Sequence, residues 1–301
     1  MKILLTGKNG QVGNELARCL QGLGEIICLD RTQMDLADLS QVRQVIRLSK
    51  PDIIINPAAY TAVDKAESEI DLAMRINAEA PAVMAEEAQK LGAAMIHYST
   101  DYVFDGTKSG SYTENDETNP QSVYGRSKLE GEKAVAQLCK AHWIFRTSWV
   151  FGVHGGNFLK TILRLAQERD SLRIVADQTG APTWARTIAK TTAAALQLGS
   201  VDHILATAGV YNLCAGGDTT WHGYARHVVT QARQLGMPLK LVPESIEPIP
   251  TEAYPVPAPR PRNSRLSTEK LQSTFKLALP DWCADLDICL KELIQDTNEK
   301  S

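Results

Sequence analysis

Short apolar runs alternate with amphipathic segments along the first half of the chain. The runs predict strands at 2–6, 25–29, 52–56, 93–99 and 143–149. Between them, apolar residues recur at helical spacing, which predicts helices at 11–23, 39–48, 64–91 and 124–138. Continuous apolar strands separated by helices are typical of a parallel sheet covered on both faces. The pattern therefore predicts the α/β fold class, with a doubly wound parallel sheet of the Rossmann type.

The second half of the chain has a different rhythm. It predicts helices at 158–168, 184–198 and 286–294, a short strand at 172–175, and a strand at 209–213 that returns to the sheet. The segment 248–261 holds six of the 14 prolines, which excludes a regular helix or a central strand and indicates a stiff, extended loop. We therefore divide the chain into a larger part, 1–150, to which it returns around 187–217, and a smaller C-terminal part, 151–301.

Composition and charge narrow the class of protein. The 301 residues include 32 Lys and Arg against 35 Asp and Glu, and this near balance argues against a nucleic-acid partner. No apolar run approaches the roughly 20 residues that cross a bilayer, and the N-terminus does not resemble a signal peptide. The six cysteines are scattered without a Cys-x-x-Cys pair, which favours free thiols. We expect a cytoplasmic protein without a membrane partner.

A glycine-rich segment follows the first predicted strand and opens the first predicted helix. It reads Gly7-x-x-Gly10-Gln11-Val12-Gly13, a spacing that differs from the usual G-x-G-x-x-G. Glycines permit a tight turn and a close approach of the backbone to a pyrophosphate, which the helix N-terminus attracts. An ordinary turn is the alternative. The position after the first strand favours dinucleotide binding, and makes 1–150 the dinucleotide-binding domain.

The end of the second predicted strand carries two residues with opposite implications for the cofactor. Asp30 can accept hydrogen bonds from adenosine ribose hydroxyls, which favours NADH. Arg31 beside it can meet a 2′-phosphate, which favours NADPH. A solvated loop is the alternative for Arg31, so the choice between the two cofactors stays open.

Tyr124 and Lys128 lie one helical turn apart and share a face of the predicted helix. A nearby ammonium stabilises a phenolate, so we expect Lys128 to lower the pKa of Tyr124. Thr100 follows the fourth strand, where a parallel sheet presents its ligand-binding edge, although such a threonine often only caps a turn. The three side chains form a candidate catalytic set.

The glycine segment, Thr100 and Tyr124-x-x-x-Lys128 together resemble the extended branch of the short-chain dehydrogenase/reductase superfamily. Longer segments resemble its dTDP-4-dehydrorhamnose reductase family and span nearly the whole chain. Pro57 departs from the alanine usual there, for which we expect a small local change in the backbone. The segments are 7–13, 61–67, 97–104, 145–149, 177–183 and 260–264.

The resemblance implies an activity and residue roles. The C4 ketone of dTDP-4-dehydro-L-rhamnose would be reduced by NADH or NADPH, the last step in making dTDP-L-rhamnose for bacterial surface polysaccharides. Tyr124 would donate a proton to the developing alkoxide, Lys128 would hold the nicotinamide ribose, and Thr100 would orient the ketone. General acid catalysis of this kind suits a developing oxyanion. The part at 151–301 would be mainly the substrate-binding domain.

Further positions match cofactor and substrate contacts of the family. Trp149 has a buried aromatic residue as its alternative role, and Arg260 either clamps the diphosphate bidentately or is a solvated loop residue. The matches to cofactor contacts are Asp35, Leu36, Ala59, Tyr60, Thr61 and Tyr98, those to the substrate are Thr100, Asp101 and Trp149, and Arg260 is a further candidate for substrate binding.

Two other functions stay open. One is a nucleotide-sugar dehydratase or epimerase that recycles its bound NAD, and the other is a non-catalytic regulatory subunit that binds a dinucleotide. The six histidines lack metal-ligand spacing, which argues against zinc. Some members of the family use Mg²⁺ linked to subunit pairing, so Mg²⁺ and a homodimer are further expectations, without assigned ligands.

Overall fold

The computed structural model describes residues 1–298. Its strands are β1 (Lys2–Leu5), β2 (Glu25–Cys28), β3 (Ile53–Asn56), β4 (Ala94–Thr100), β5 (His142–Thr147), β6 (Val150–Phe151), β7 (Leu172–Val175), β8 (Thr179–Gly180), β9 (Thr183–Trp184), β10 (Gly209–Asn212), β11 (Thr219–Thr220), β12 (Ile246–Ile249) and β13 (Asn263–Ser264).

The helices separate these strands along the chain. They are α1 (Gln11–Cys19), α2 (Leu39–Ser49), α3 (Val63–Ala66), α4 (Ile70–Met74), α5 (Ala80–Leu91), α6 (Val123–Leu138), α7 (Phe158–Glu168), α8 (Ala185–Gln197), α9 (Val201–Ala206), α10 (Trp221–Gln234), α11 (Glu269–Phe275) and α12 (Trp282–Asn298). Among the described residues, no helix combines the length and the apolar composition that a membrane crossing requires.

The central sheet has six strands in the order β10-β5-β4-β3-β1-β2, all parallel. Strand order reverses between β1 and β3, because β2 lies on one side of β1 and the later strands lie on the other. Ligands of open α/β sheets bind at the carboxyl ends of the strands at such a reversal. The α/β fold with a parallel sheet is confirmed.

Alternating side chains of the strands fill two apolar cores. Ile3 and Leu5 face the core formed with α1 and α8, whereas Leu4 faces the core formed with α2, α5 and α6. Both faces of the sheet are therefore covered, as the continuous apolar strands predict. A third core, around Trp184, Tyr224 and Leu290, joins α7, α10 and α12 in the C-terminal half.

Several elements differ from the pattern read along the sequence. The helix predicted over 64–91 is divided into α3, α4, a π-helical turn at Arg75–Glu79, and α5. The strand predicted over 143–149 stops at Thr147, since Trp149 adopts a left-handed backbone with φ 48°. The helix predicted over 184–198 is α8, and Trp184 both ends β9 and is the N-cap of this helix.

Three features of the second half bear on the division of the chain. α10 and α11 fall where no element was predicted. The strand predicted at 209–213 is β10, which pairs with β5 at the edge of the sheet. The proline-rich segment begins within β12, which forms a two-stranded sheet with β7, so Pro248 lies on an edge strand. The two-domain boundaries stay a prediction.

Candidate active site

The glycine segment forms a tight turn between β1 and α1. Gly7 has φ 59°, and a Cβ at Gly13 would lie 2.0 Å from the carbonyl oxygen of Gly7. Gly10 is the N-cap of α1 and offers no side chain to its free N–H groups. Other helices do have side-chain caps, as Asp38 caps α2 and Ser122 caps α6. The α1 N-terminus is therefore left open, which suits a pyrophosphate group.

A cleft of about 310 Å³ opens beside this turn, at the reversal between β1 and β3. It collects residues from the loops after β1, β2 and β3, as the sheet order leads one to expect. Residues matched to cofactor contacts line the cleft together: Gly7, Asp30, Arg31, Asp35, Leu36, Ala59, Tyr60 and Thr61.

Tyr98, Gln11 and Val12 are among the predicted cofactor contacts that do not line this cleft. The hydroxyl of Tyr98 lies 2.7 Å from that of Thr192 on α8, inside the core. Gln11 accepts a hydrogen bond from Asn157, and Val12 packs against the sheet. Of the three, Gln11 and Val12 open α1 and stand at its N-terminus, whereas Tyr98 is buried on β4.

Two ion pairs lie at the mouth of the cleft, each between a cation and a carboxylate. Hydrogen bonds from Thr32, and then Lys8, hold the pKa of Asp30 down at about 2, so that it is an ionised acceptor. Lys8 Nζ lies 3.2 Å from Asp30. Arg31 is 77% exposed and reaches Asp35 at 3.3 Å. Lys8 is a second cation beside the ribose position that the sequence reading missed, although it stands inside the glycine segment.

The α6 helix presents Tyr124 and Lys128 to the site. Lys128 is buried, and its Nζ donates to the carbonyl of Tyr98 at 2.5 Å. Burial lowers the pKa of Lys128 to about 8. Burial also raises the pKa of Tyr124 to about 12, against the effect of a hydrogen bond with Thr100. Desolvation dominates the pKa of Tyr124, and the Lys128 ammonium is directed to the carbonyl of Tyr98, so a lowering of this pKa by Lys128 stays a prediction.

Thr100 and Asp101 form a buried pair at the end of β4. The Thr100 hydroxyl donates to Asp101 Oδ1 at 3.0 Å and accepts from the backbone of Tyr102 at 3.2 Å. Burial raises the pKa of Asp101 to about 6, and hydrogen bonds with Ser264 and Thr100 oppose the rise. Thr100 thus lies between Tyr124 and the carboxyl group of Asp101. Its hydroxyl can turn from Asp101 and donate to another acceptor.

The proline-rich segment brings Arg260 into the same site. Arg260 pairs with Asp64 at 2.7 Å and lies 6.0 Å from the ring centre of Tyr102. Tyr102 in turn contacts Tyr124 edge to face at 5.4 Å. Arg260 and Tyr102 both line a second cleft, of about 890 Å³, between the two halves of the chain. This volume and the three arginines that line the cleft, Arg169, Arg173 and Arg260, suit a nucleotide sugar.

Trp149 lies behind the wall of this second cleft. Its ring stacks on Trp221 at 3.7 Å, and Trp221 lines the cleft. A Cβ at Gly180 would lie 2.7 Å from the Trp149 ring, so this glycine makes the packing feasible. Trp221 donates to Gln178, which lies in the quoted segment 177–183 and also lines the cleft. The sequence reading missed Trp221 because α10 was not predicted.

Asn77 is a further residue without an assigned role in the sequence reading. It lies in the π-helical turn, is 1% exposed, and holds both the N–H and the carbonyl of Tyr60 with its side-chain amide. The same amide donates to Ser127 on α6. Asn77 therefore links the cofactor loop to the helix of Tyr124. π-Helical turns often occur at functional sites, but the sequence pattern carries no signal for one.

Comparison with known proteins places this geometry in a family. The family model described as RmlD substrate binding domain matches residues 1–295. The dTDP-4-dehydrorhamnose reductases of Burkholderia thailandensis and Escherichia coli K12 are each 49% identical, over 98% and 99% of this chain and 99% of each relative. The crystal structure of the Bacillus anthracis dTDP-4-dehydrorhamnose reductase, in complex with NADP, is 34% identical with a TM-score of 0.86, covering 97% of this chain and 99% of that one. These findings confirm the resemblance, and the chain belongs to the dTDP-4-dehydrorhamnose reductase family.

Proposed function

We propose that the chain reduces the C4 ketone of dTDP-4-dehydro-L-rhamnose to give dTDP-L-rhamnose, with NADPH or NADH as reductant. The observation that carries the proposal is the Thr100, Tyr124 and Lys128 set around the end of β4, where Tyr124 contacts Tyr102 of the larger cleft. Family membership over nearly the whole chain supports the substrate.

The glycine turn fits the cofactor because its glycines leave room at an open helix N-terminus. When bound, the reduced dinucleotide supplies the hydride. Asp30 accepts from ribose hydroxyls, while Lys8 and Arg31 attract a 2′-phosphate. Lys128 has three donor positions, of which Tyr98 and His97 take two, so one is left to bind a nicotinamide ribose.

Tyr124 is the proton donor to the developing C4 alkoxide. Its pKa of about 12 keeps the hydroxyl protonated at neutral pH, which is the form a general acid requires. Thr100 hydrogen-bonds the ketone oxygen once its proton turns away from Asp101. Two fixed donors at one oxygen are the arrangement that stabilises a developing oxyanion.

Arg260 binds the diphosphate of the nucleotide sugar. Its guanidinium is paired with Asp64, and a diphosphate offers a more highly charged partner at the same position. Trp221 and Gln178 belong to the same cleft wall, with Trp149 as a support behind it.

Tyr102 argues against the dehydratase alternative. The 4,6-dehydratases of the superfamily resemble this chain around the fourth strand but have a glutamate base where it has Tyr102. Burial raises the pKa of the Tyr102 hydroxyl above its ordinary value, so it is a poor base at neutral pH. A regulatory subunit would bind the dinucleotide without turnover. The complete set of Thr100, Tyr124 and Lys128 argues against this alternative.

The experiment combines the purified protein with dTDP-4-dehydro-L-rhamnose and each reduced cofactor. We expect stoichiometric oxidation of NADPH or NADH with formation of dTDP-L-rhamnose. Binding without turnover would support the regulatory subunit. Conversion of dTDP-glucose to its 4-dehydro-6-deoxy derivative, without net change of cofactor, would support the dehydratase.

The setting of the enzyme belongs to the same proposal: a cytoplasmic homodimer without nucleic-acid or membrane partners. Its unpaired cysteines, three of them buried, support a reducing compartment. Its net charge of −3 supports a small-molecule substrate rather than a nucleic acid. Light scattering of the purified protein tests the dimer. Within residues 1–298 no three His, Cys, Asp or Glu side chains converge as metal ligands. Mg²⁺ therefore has no step in this mechanism.

A further inference from the structure

A chain of buried polar side chains runs behind Lys128. The Thr6 hydroxyl lies 2.6 Å from the side-chain amide of Asn56, and that amide lies 3.2 Å from Nδ1 of His97. The other ring nitrogen of His97, Nε2, lies 3.4 Å from Lys128 Nζ. These side chains are between 0% and 2% exposed.

The position of this chain connects two parts of the proposed site. Thr6 directly precedes Gly7 of the glycine turn, and Asn56 and His97 are register partners on β3 and β4. Polar side chains inside a sheet core are costly to bury unless each is hydrogen-bonded. The mechanism derived above uses none of the three.

The hydrogen-bond logic allows two arrangements. With the Asn56 amide nitrogen towards His97, Nδ1 accepts, so the ring proton is on Nε2 and faces Lys128. A charged Lys128 has only donors, and two donors would then meet. If the amide is turned by 180°, its oxygen accepts from Nδ1–H, and Nε2 is free to accept from the ammonium.

We propose that Thr6, Asn56 and His97 form a positioning relay for Lys128, in which the tautomer of His97 matches the charge of the lysine. Charged Lys128 takes the Nδ1–H tautomer with the amide oxygen towards the ring, and uncharged Lys128 takes the Nε2–H tautomer. The lysine proton goes to solvent, and the imidazole exchanges one ring proton for the other without a change of charge.

The groups around Lys128 agree with this assignment. Burial, and then the nearby Lys128 ammonium, hold the pKa of His97 well below its ordinary value against the effect of a hydrogen bond with the backbone of Asn56, so the ring is neutral at neutral pH. Burial brings the pKa of Lys128 to about 8, and Glu132 on α6 opposes this shift. Arg146 on β5 binds Glu132 at 2.6 Å, and Tyr124 and Asp101 are the other titratable groups at this end of the site.

Long-range nitrogen–proton NMR on the protein without cofactor tests the relay directly. At about pH 6, where Lys128 is charged, we expect His97 as the Nδ1–H tautomer. As Lys128 loses its proton, the Nε2–H tautomer should replace it over the same pH range. The Nε2–H form at pH 6, or one tautomer throughout the titration of Lys128, would overturn the relay.

His142 provides an internal control. It is also a buried histidine of the sheet, but its Nδ1 lies 2.7 Å from the carbonyl of Cys139. Because a carbonyl only accepts, His142 should remain the Nδ1–H tautomer at every pH.

Two variants separate positioning from packing. His97→Gln keeps an acceptor beside Lys128, whereas His97→Leu removes it and leaves the ammonium less solvated. We expect the Lys128 titration to move by about one pH unit downward in His97→Leu and to stay near the wild type in His97→Gln. The variant His142→Gln is the packing control, because it changes a buried histidine of the sheet that does not contact Lys128. Equal pH midpoints of the Lys128 titration in His97→Leu and His97→Gln would contradict the relay.

These measurements use no substrate, so they are independent of the proposed reaction. If the protein reduces the substrate but His97 does not exchange tautomers, the relay is refuted and the proposed function is not. If His97 exchanges tautomers but the protein has no turnover, the proposed function is refuted and the relay is not.

Discussion

At the scale of single residues, burial acts in opposite directions on the two members of the Tyr124 and Lys128 pair. It raises the pKa of Tyr124 to about 12 and lowers that of Lys128 to about 8. Desolvation always favours the neutral form, which is the protonated phenol but the deprotonated amine. Near pH 7 the site therefore contains a neutral acid beside a cation that titrates readily.

Tyr124→Phe removes only the phenolic hydroxyl. We expect the fold and the cofactor affinity to be retained and kcat to fall roughly 10²–10⁴-fold, the usual contribution of a general acid. Tyr211→Phe is the control, since it deletes a hydroxyl bonded to the carbonyl of Thr207, in the core of the sheet. A kcat of Tyr124→Phe within about threefold of the parent would remove Tyr124 from the proton-donor role.

The titration of Lys128 gives an expected pH dependence. Because its pKa is lowered to about 8, the charged form is present below that pH and is lost above it. We expect kcat/KM to fall as the pH rises through this value, and the fall to disappear in Lys128→Arg, whose side chain stays charged. A pH profile of the reaction measures this, and an unchanged alkaline limb in Lys128→Arg would assign it to another group.

Arg31→Ala tests the contact with a 2′-phosphate. We expect the KM for NADPH to rise more than that for NADH, because only NADPH carries this group. Arg164→Ala is a matched control, as Arg164 forms the same i,i+4 pair with Glu168 at 3.0 Å and is 60% exposed. If both cofactors change equally, Arg31 does not reach the phosphate.

At the scale of elements, the glycine turn and α6 place the reacting groups on rigid structure. The turn is held by contacts that exclude side chains, and α6 begins at a Ser122 cap two residues before Tyr124. The periodicity of apolar residues is sufficient to locate α6 and β4, because the apolar residues of each element pack against a core.

Other elements were not accessible to such a reading. The π-helical turn depends on Asn77 binding the backbone of Tyr60, a contact between residues 17 positions apart. The left-handed backbone of Trp149 depends on its stacking with Trp221, which lies on a helix of the other half. The pairing of Arg260 with Asp64 spans 196 positions. Local patterns predict faces and ends, whereas these features arise from tertiary contacts.

Gly13→Ala tests the glycine turn as an element. Its Cβ would lie 2.0 Å from the Gly7 carbonyl oxygen, so the turn must open and cofactor affinity should fall at least tenfold. Gly156→Ala is the control, because nothing lies within 4 Å of its Cβ position. Fluorescence titration with NADPH measures both, and equal affinities would show that the turn does not hold the pyrophosphate.

At the scale of the whole molecule, the two halves share one sheet. β10 pairs with β5, and Leu271 and Phe275 of α11 complete the core beneath it. The C-terminal half therefore supplies part of the structure that positions the cofactor cleft.

Residues 1–150 alone should not form a stable unit. They lack α8, β10 and α11, so β5 becomes an unpaired apolar edge. We expect aggregation of this fragment and no cooperative thermal transition, compared with the full chain by circular dichroism and light scattering. A soluble monomer that melts cooperatively would show that the first half is independent.

The late return of β10 also affects the order of events during synthesis. About 65 residues separate the ends of β5 and β10 in the chain. At about 5–20 residues per second, the ribosome needs roughly 3 to 13 s to make them. Throughout this interval β5 lacks its neighbour, and the core beneath it waits still longer for α11. The nascent sheet therefore depends on its covered central strands, or on chaperones, to avoid pairing with another chain before its own last strand emerges.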